Sequence, residues 1–217
     1  MSAPAIFRSD SAFINYMTIS ADALIEGHRF DVECRKSANP PHELRYHRLN
    51  QFCVSIVFSG MCVEAFLYDY AAHAFSDDFV REHLDGMRFL SKCASYPKLI
   101  AGVDIDRSGA HWSALAKLNR IRNKFVHSKS IVPYSDPEAE AKRQELRRAE
   151  YIALPKTALT CHSAISLYVA ELFRIHKLTG IDNPFPLWFS EFASKEYKDV
   201  QQALAPSVAQ GAPSGEA

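Results

Sequence analysis

Apolar residues recur along this chain at spacings of three and four, the period of an amphipathic helix, and no sustained two-residue alternation marks a strand. The first such run predicts a helix from about Ser11 to Arg35, with Phe13, Met17, Ala21, Leu24, Ile25 and His28 on one stripe. Ser37-Ala-Asn-Pro-Pro41 ends it, because two prolines cannot continue a helix. A second helix is predicted from about Glu43 to Phe75, carrying Leu49, Phe52, Cys53, Ile56, Gly60, Val63, Leu67 and Tyr70. Further apolar residues lie off that stripe, which places the helix at the centre of a bundle. Gly60 in its middle costs about 1 kcal/mol relative to alanine, so a neighbour packed closely against it is expected.

Ser76-Asp-Asp78 reads as the cap of a short helix reaching about Lys92. A less regular segment follows, through Tyr96-Pro-Lys-Leu-Ile100 and the polar run from Gly102 to Gly109. The next helix spans about Ala110 to Ser128. After a turn from Pro133 to Pro137 comes a charged, solvated helix (Glu138 to Glu150), and then an amphipathic one from about Lys156 to Leu178. The aromatic run Phe185-Pro-Leu-Trp-Phe189 is expected to dock on the bundle, and Ala205 onward has nothing to bury. The expected fold is therefore all-α. It is a helical bundle of four principal long helices with short peripheral ones, a single domain over 1–204 and a disordered tail over 205–217.

Composition narrows the class of protein. A hydrophobic fraction of 47% is ordinary for a globular chain. Twenty-five basic and 25 acidic residues give a formal net charge of zero, which argues against coating nucleic acid by global charge but leaves room for a local basic site. Five scattered cysteines with no CxxC pair argue against a disulfide framework or thiolate zinc site and fit a reducing, cytoplasmic setting. No secretory leader is visible in MSAPAIFRSD. The apolar stretch from Phe52 to Tyr70 is interrupted by Ser55, Ser59, Gly60, Glu64 and Asp69, so a buried bundle helix is expected there rather than a membrane span.

Two metal motifs fall short. Asp104-Ile-Asp-Arg-Ser-Gly109 begins like a calcium loop, but Leu115 stands where the bidentate glutamate belongs, leaving a polar turn before the next helix. His42, Glu43 and His47 resemble a zincin motif with one residue too many, which turns the second histidine about 140° round the helix. The other histidines, His28, His73, His83, His111, His162 and His176 among them, have no ligand spacing. No P-loop, GxGxxG or GxSxG is present, so neither a metal nor another cofactor is implied.

The concentrated chemistry lies at the end of the Ala110–Ser128 helix. At about 100° per residue, Trp112, Leu115, Ala116, Leu118, Ile121, Phe125 and Val126 form one apolar arc. Ser113, Lys117, Arg120 and Lys124 fall opposite, on the expected solvent face. Arg122 falls near the middle of the apolar arc, while Asn123 and His127 sit together at its edge. A guanidinium in a buried stripe needs a partner or a cleft. One reading pairs Arg122 structurally with an acid such as Glu64 and leaves His127 as an ordinary helix-end histidine. The other sets a phosphate-binding arginine beside a histidine that titrates near neutrality. From Ala110 to Ser130 there are five basic residues (Lys117, Arg120, Arg122, Lys124, Lys129) and no acid, which favours the second.

Arg122-Asn-Lys-Phe-Val-His127 resembles the R-x4-H signature of HEPN domains, with a polar residue straight after the arginine. The helix containing Met61-Cys-Val-Glu-Ala-Phe-Leu-Tyr68 and the approach from Pro97-Lys-Leu-Ile-Ala-Gly102 through Trp112 and Leu115 extend the likeness over about Asn50 to Lys129. The resemblance implies a helical bundle that cleaves RNA without a metal, as a toxin or anti-phage defence effector. Arg122 would grip the scissile phosphate, His127 would act as general acid or base, and Asn123 would orient one of them. Arg120, Lys124 and Lys129 would hold the strand. It also implies a homodimer whose two motifs line one cleft, and an antitoxin or regulatory protein as a further partner. Lys129 stands where toxins controlled by tyrosine modification carry a tyrosine, so that control is not implied here. The family also includes non-catalytic nucleotide-binding, RNA-binding and protein-interaction modules, and a plain helical adaptor is the third alternative.

Overall fold

The computed structural model describes residues 12–127, 136–185 and 187–205. Seven α-helices are found in these segments: α1 (Ala12–Arg35), α2 (His42–Ala74), α3 (Asp77–Phe79), α4 (Phe89–Ala101), α5 (Ala110–Val126), α6 (Pro137–Thr179) and α7 (Leu187–Leu204). There is no strand among the described residues. The four long helices read from the hydrophobic pattern are present as α1, α2, α5 and α6. Of the tail over 205–217, only Ala205 is among the described residues.

Helix α2 is the hub, packing on α1 and also meeting α4, α5 and α6. Phe52, Ile56, Val63, Phe66, Leu67 and Tyr70 are buried along it, each contributing roughly 1.5–3 kcal/mol of apolar burial. By length and composition α2 is the one described helix that could cross a membrane; in this fold half of that stretch is buried inside the protein. Phe185 stacks on Phe66 with ring centroids 4.7 Å apart, and Phe189 stacks on Phe13 at 4.5 Å. The aromatic run therefore docks as expected. It then continues as α7, a helix the periodicity had not marked, which packs on α1 and α6.

Ser76 caps α3 by accepting from the Phe79 amide at 3.2 Å. That helix ends in a widened turn, closed by the Asp85 amide on the Val80 carbonyl, rather than running to Lys92. Two other expectations fail at prolines. Pro97 lies inside α4, where an irregular segment was expected, and Pro155 lies inside α6, where two separate helices were expected. A proline within a helix leaves the carbonyl four residues earlier without its amide donor. Here a side chain supplies each missing hydrogen: the buried Tyr168 hydroxyl donates to the Cys93 carbonyl at 2.9 Å, and Arg48 Nη2 donates to the Tyr151 carbonyl at 3.1 Å. Arg48 is itself held by the buried Asp31 carboxylate at 2.5 Å and lies over the Tyr151 ring. Both helices continue because the fold brings donors from distant segments.

A polar knot crosses the core between α1, α2 and α6. Ser20 donates to the Ser55 carbonyl at 3.0 Å, touches Ser59 Oγ at 2.8 Å and meets His162 Nδ1 at 2.9 Å. Burial pushes His162 down to about 4. The unfolded chain takes up a proton near pH 6.5, whereas the native one refuses it until about pH 4. Stability is therefore full above pH 6.5 and falls as pH drops, by up to about 3 kcal/mol when pH 4 is reached. Urea unfolding between pH 7.5 and 5 should record this loss, and His162→Gln should flatten the slope. An equally steep slope in the variant would place the titration elsewhere.

Candidate functional site

Gly109 is the N-cap of helix α5 and follows a turn that Asp106 closes on itself by accepting from the Ser108 amide and hydroxyl at 2.8 and 2.7 Å. Those two bonds hold the Asp106 carboxyl below its ordinary range. Leu115 and Leu118 of the apolar arc are buried, as is the neighbouring Ala114, with Trp112, Ile121 and Phe125 packed against the core. The arc does not stay buried to its end, since Val126 is 54% exposed.

Arg122 faces α2, as the helical phase required. Its Nη1 lies 3.0 Å from Glu64 Oε2, and its guanidinium sits over the Phe89 ring, 5.3 Å from the centroid. Gly60 is what lets it lie there: a Cβ on Gly60 would fall 2.4 Å from Arg122 Cδ, closer than real atoms pack. The close neighbour expected at that glycine is thus the arginine itself. The pair is not sealed, with side chains 18% and 37% exposed for Arg122 and Glu64. Solvent access keeps the ion pair weak, and a guanidinium carries five donors, so an incoming anion can compete for it.

His127 caps the C-terminus of α5, its amide donating to the Asn123 carbonyl at 3.0 Å, and it is exposed. Asn123 is half-buried, with its amide 3.4 Å from Asn119 Oδ1. Five residues of helix separate Arg122 and His127 by about 140° and about 7.5 Å along the axis. Arg122 therefore faces the bundle while His127 emerges at the helix end. No hydrogen bond joins the two among the described residues.

Arg120 and Lys124 occupy the other side of α5. That side is not open solvent, because α6 runs alongside it: Lys124 pairs with Glu150 at 2.5 Å, and Lys117 Nζ reaches Thr160 Oγ1 at 3.4 Å. Between the two helices lies a groove of about 330 Å³, lined in part by Lys117, Arg120, Lys124, Arg147 and Tyr151. Arg147 and Glu150 were not read as lining residues because their segment, Glu138 to Glu150, reads as a charged, solvated helix, and Tyr151 falls just beyond it. Their spacing of three and four along one face was the available signal. Lys129 lies outside the described residues.

Among the described residues no group of three or more His, Cys, Asp or Glu side chains is placed to hold a metal ion. His47 Nε2 approaches Glu43 at 3.7 Å and its ring stacks on Phe30, a packing role. His176 is buried between the Tyr70 hydroxyl at 2.7 Å and the Ile181 carbonyl at 3.1 Å. The chain matches no family model, no curated protein and no solved structure.

Proposed function

We propose that the protein is a metal-independent endoribonuclease of the HEPN type, working as a homodimer. The observation that carries the reading is the pairing of two features on α5. A part-open Arg122 is seated in a notch that Gly60 leaves for it, and an exposed His127 stands about 1.4 turns further on. In this mechanism the RNA 2′-hydroxyl attacks its own phosphate and the leaving 5′-oxygen is protonated. His127 and its symmetry mate move the two protons, and Arg122 takes the charge that develops on the phosphate oxygens. Two copies are invoked because one chain points Arg122 and His127 some 140° apart; a twofold pairing of α5 ends would put one protomer's histidine near the other's arginine.

The second reading is a non-catalytic module that binds nucleotides, RNA or protein. The Arg122–Glu64 pair favours it, since that arginine already has a partner. Incubation of the purified chain with mixed RNA in EDTA separates the two. The nuclease reading expects cleavage leaving 2′,3′-cyclic phosphate ends, and no cleavage of DNA of the same sequence, whose sugar lacks the nucleophile. Cleavage that vanishes with EDTA, or intact RNA at micromolar protein, transfers the assignment to the second reading.

A further inference from the structure

The groove between α5 and α6 lies on a different face of α5 from Arg122 and has a composition of its own. Its rim carries the cations Lys117, Arg120, Lys124 and Arg147 against a single acid, Glu150. Glu150 is taken by Lys124, and Lys117 leans on Thr160. Arg120 and Arg147 are both exposed and have no ion pair among the described residues. Two guanidiniums that share one cleft repel each other unless an anion lies between them. The floor is of opposite character, built from Ile121, Phe125, Tyr151 and Leu154. Tyr151 is kept in place from one side by Arg48, whose guanidinium lies 4.1 Å from the ring centroid.

We infer that this groove binds a nucleoside phosphate unit, with the phosphate on Arg120 and Arg147 and the flat base on the apolar floor beside Phe125 and Tyr151. Planar guanidiniums grip phosphate through paired hydrogen bonds, which a lone carboxylate ligand would leave half used. An aromatic and aliphatic floor offers stacking to any base. A volume of about 330 Å³ is at the small end of ligand pockets, the scale of one nucleotide rather than a larger cofactor. The same chemistry is offered by a free nucleotide and by one residue of an RNA strand. The inference goes beyond the nuclease reading and stands without it, since it concerns binding alone.

The test uses the full chain with two kinds of probe. UMP and AMP are titrated by calorimetry, and a 2′-O-methyl RNA decamer, which lacks the nucleophile for cleavage, is followed by fluorescence anisotropy. The double variant R120A/R147A should weaken whichever probe binds by about tenfold or more and reduce the salt dependence. Ala153→Trp fills the groove from an exposed position without removing charge, and should do the same. R29A/R81A removes equal charge from exposed sites elsewhere and should stay within about twofold of the parent. Binding of the mononucleotides identifies a free nucleotide as a sufficient ligand; binding of the decamer alone identifies the strand. Either result supports the site when the groove variants lose it. The inference is overturned if neither probe binds, if the groove variants bind like the parent, or if R29A/R81A loses as much. It is equally overturned if inorganic phosphate competes as well as UMP, since the floor would then contribute nothing.

Discussion

If the proposed nuclease reading holds, replacing His127 with alanine should lower RNA cleavage by about 10²–10⁴-fold, the usual cost of removing a positioned acid or base. The fold should be untouched, because the side chain is exposed at the end of α5 and the cap bond to Asn123 is made by its backbone amide. Loss of rate with unchanged thermal unfolding would separate chemistry from stability. Asparagine at the same position keeps a polar side chain but cannot shuttle the proton, so it should be as inactive as alanine. Cleavage by His127→Ala at the parental rate would remove the nuclease assignment outright. The dimeric form of the mechanism is checked on the same protein. Sedimentation should find two chains together at micromolar concentration, more firmly with RNA present, because an anion between two Arg122 side chains relieves their repulsion. A strict monomer under both conditions would leave the two-chain site without support.

Much of the bundle was legible in the periodicity because α1, α2 and the second half of α6 each bury a continuous stripe. The misses share a cause. Pro97 and Pro155 are local stop signals, and they were overridden by Tyr168 and Arg48, donors 75 and 103 residues away from the carbonyls they satisfy. No local pattern carries that information. The same holds for the α5–α6 groove. Lys117, Arg120 and Lys124 form a polar face by phase alone, and only the packing of α6 along α5 turns that face into the wall of a cleft. Arg122 is the instructive contrast. Its helical phase pointed inward, Glu64 was a nameable partner, and Gly60 marked a close approach; the structure joins all three at one spot. Phe89, the ring under the guanidinium, belongs to α4, whose start was hidden within the helix expected to run to Lys92.

Arg122→Ala should reduce cleavage by about 10²–10³-fold, as expected for losing a donor aimed at the developing charge. Arg122→Lys should recover only part of it, since an ammonium cannot reproduce the planar grip on phosphate. A stronger test moves the arginine without altering it. Gly60→Ala places a methyl 2.4 Å from Arg122 Cδ, so the side chain must shift within its seat against α2 and Phe89. Alanine in mid-helix is otherwise better than glycine by about 1 kcal/mol. The two effects oppose each other in the parent but not in Arg122→Ala, where the clash is gone. Gly60→Ala should therefore stabilise the Arg122→Ala background by up to about 1 kcal/mol, and stabilise the parent less or destabilise it, with the difference read as a coupling in urea unfolding. Cleavage should fall in Gly60→Ala although Arg122 and His127 are both still present, because the guanidinium no longer meets the phosphate where the nucleophile attacks. Full stabilisation of the parent together with parental cleavage would mean that the seat of Arg122 matters to neither folding nor chemistry, and the site would have to be sought on the other face of α5.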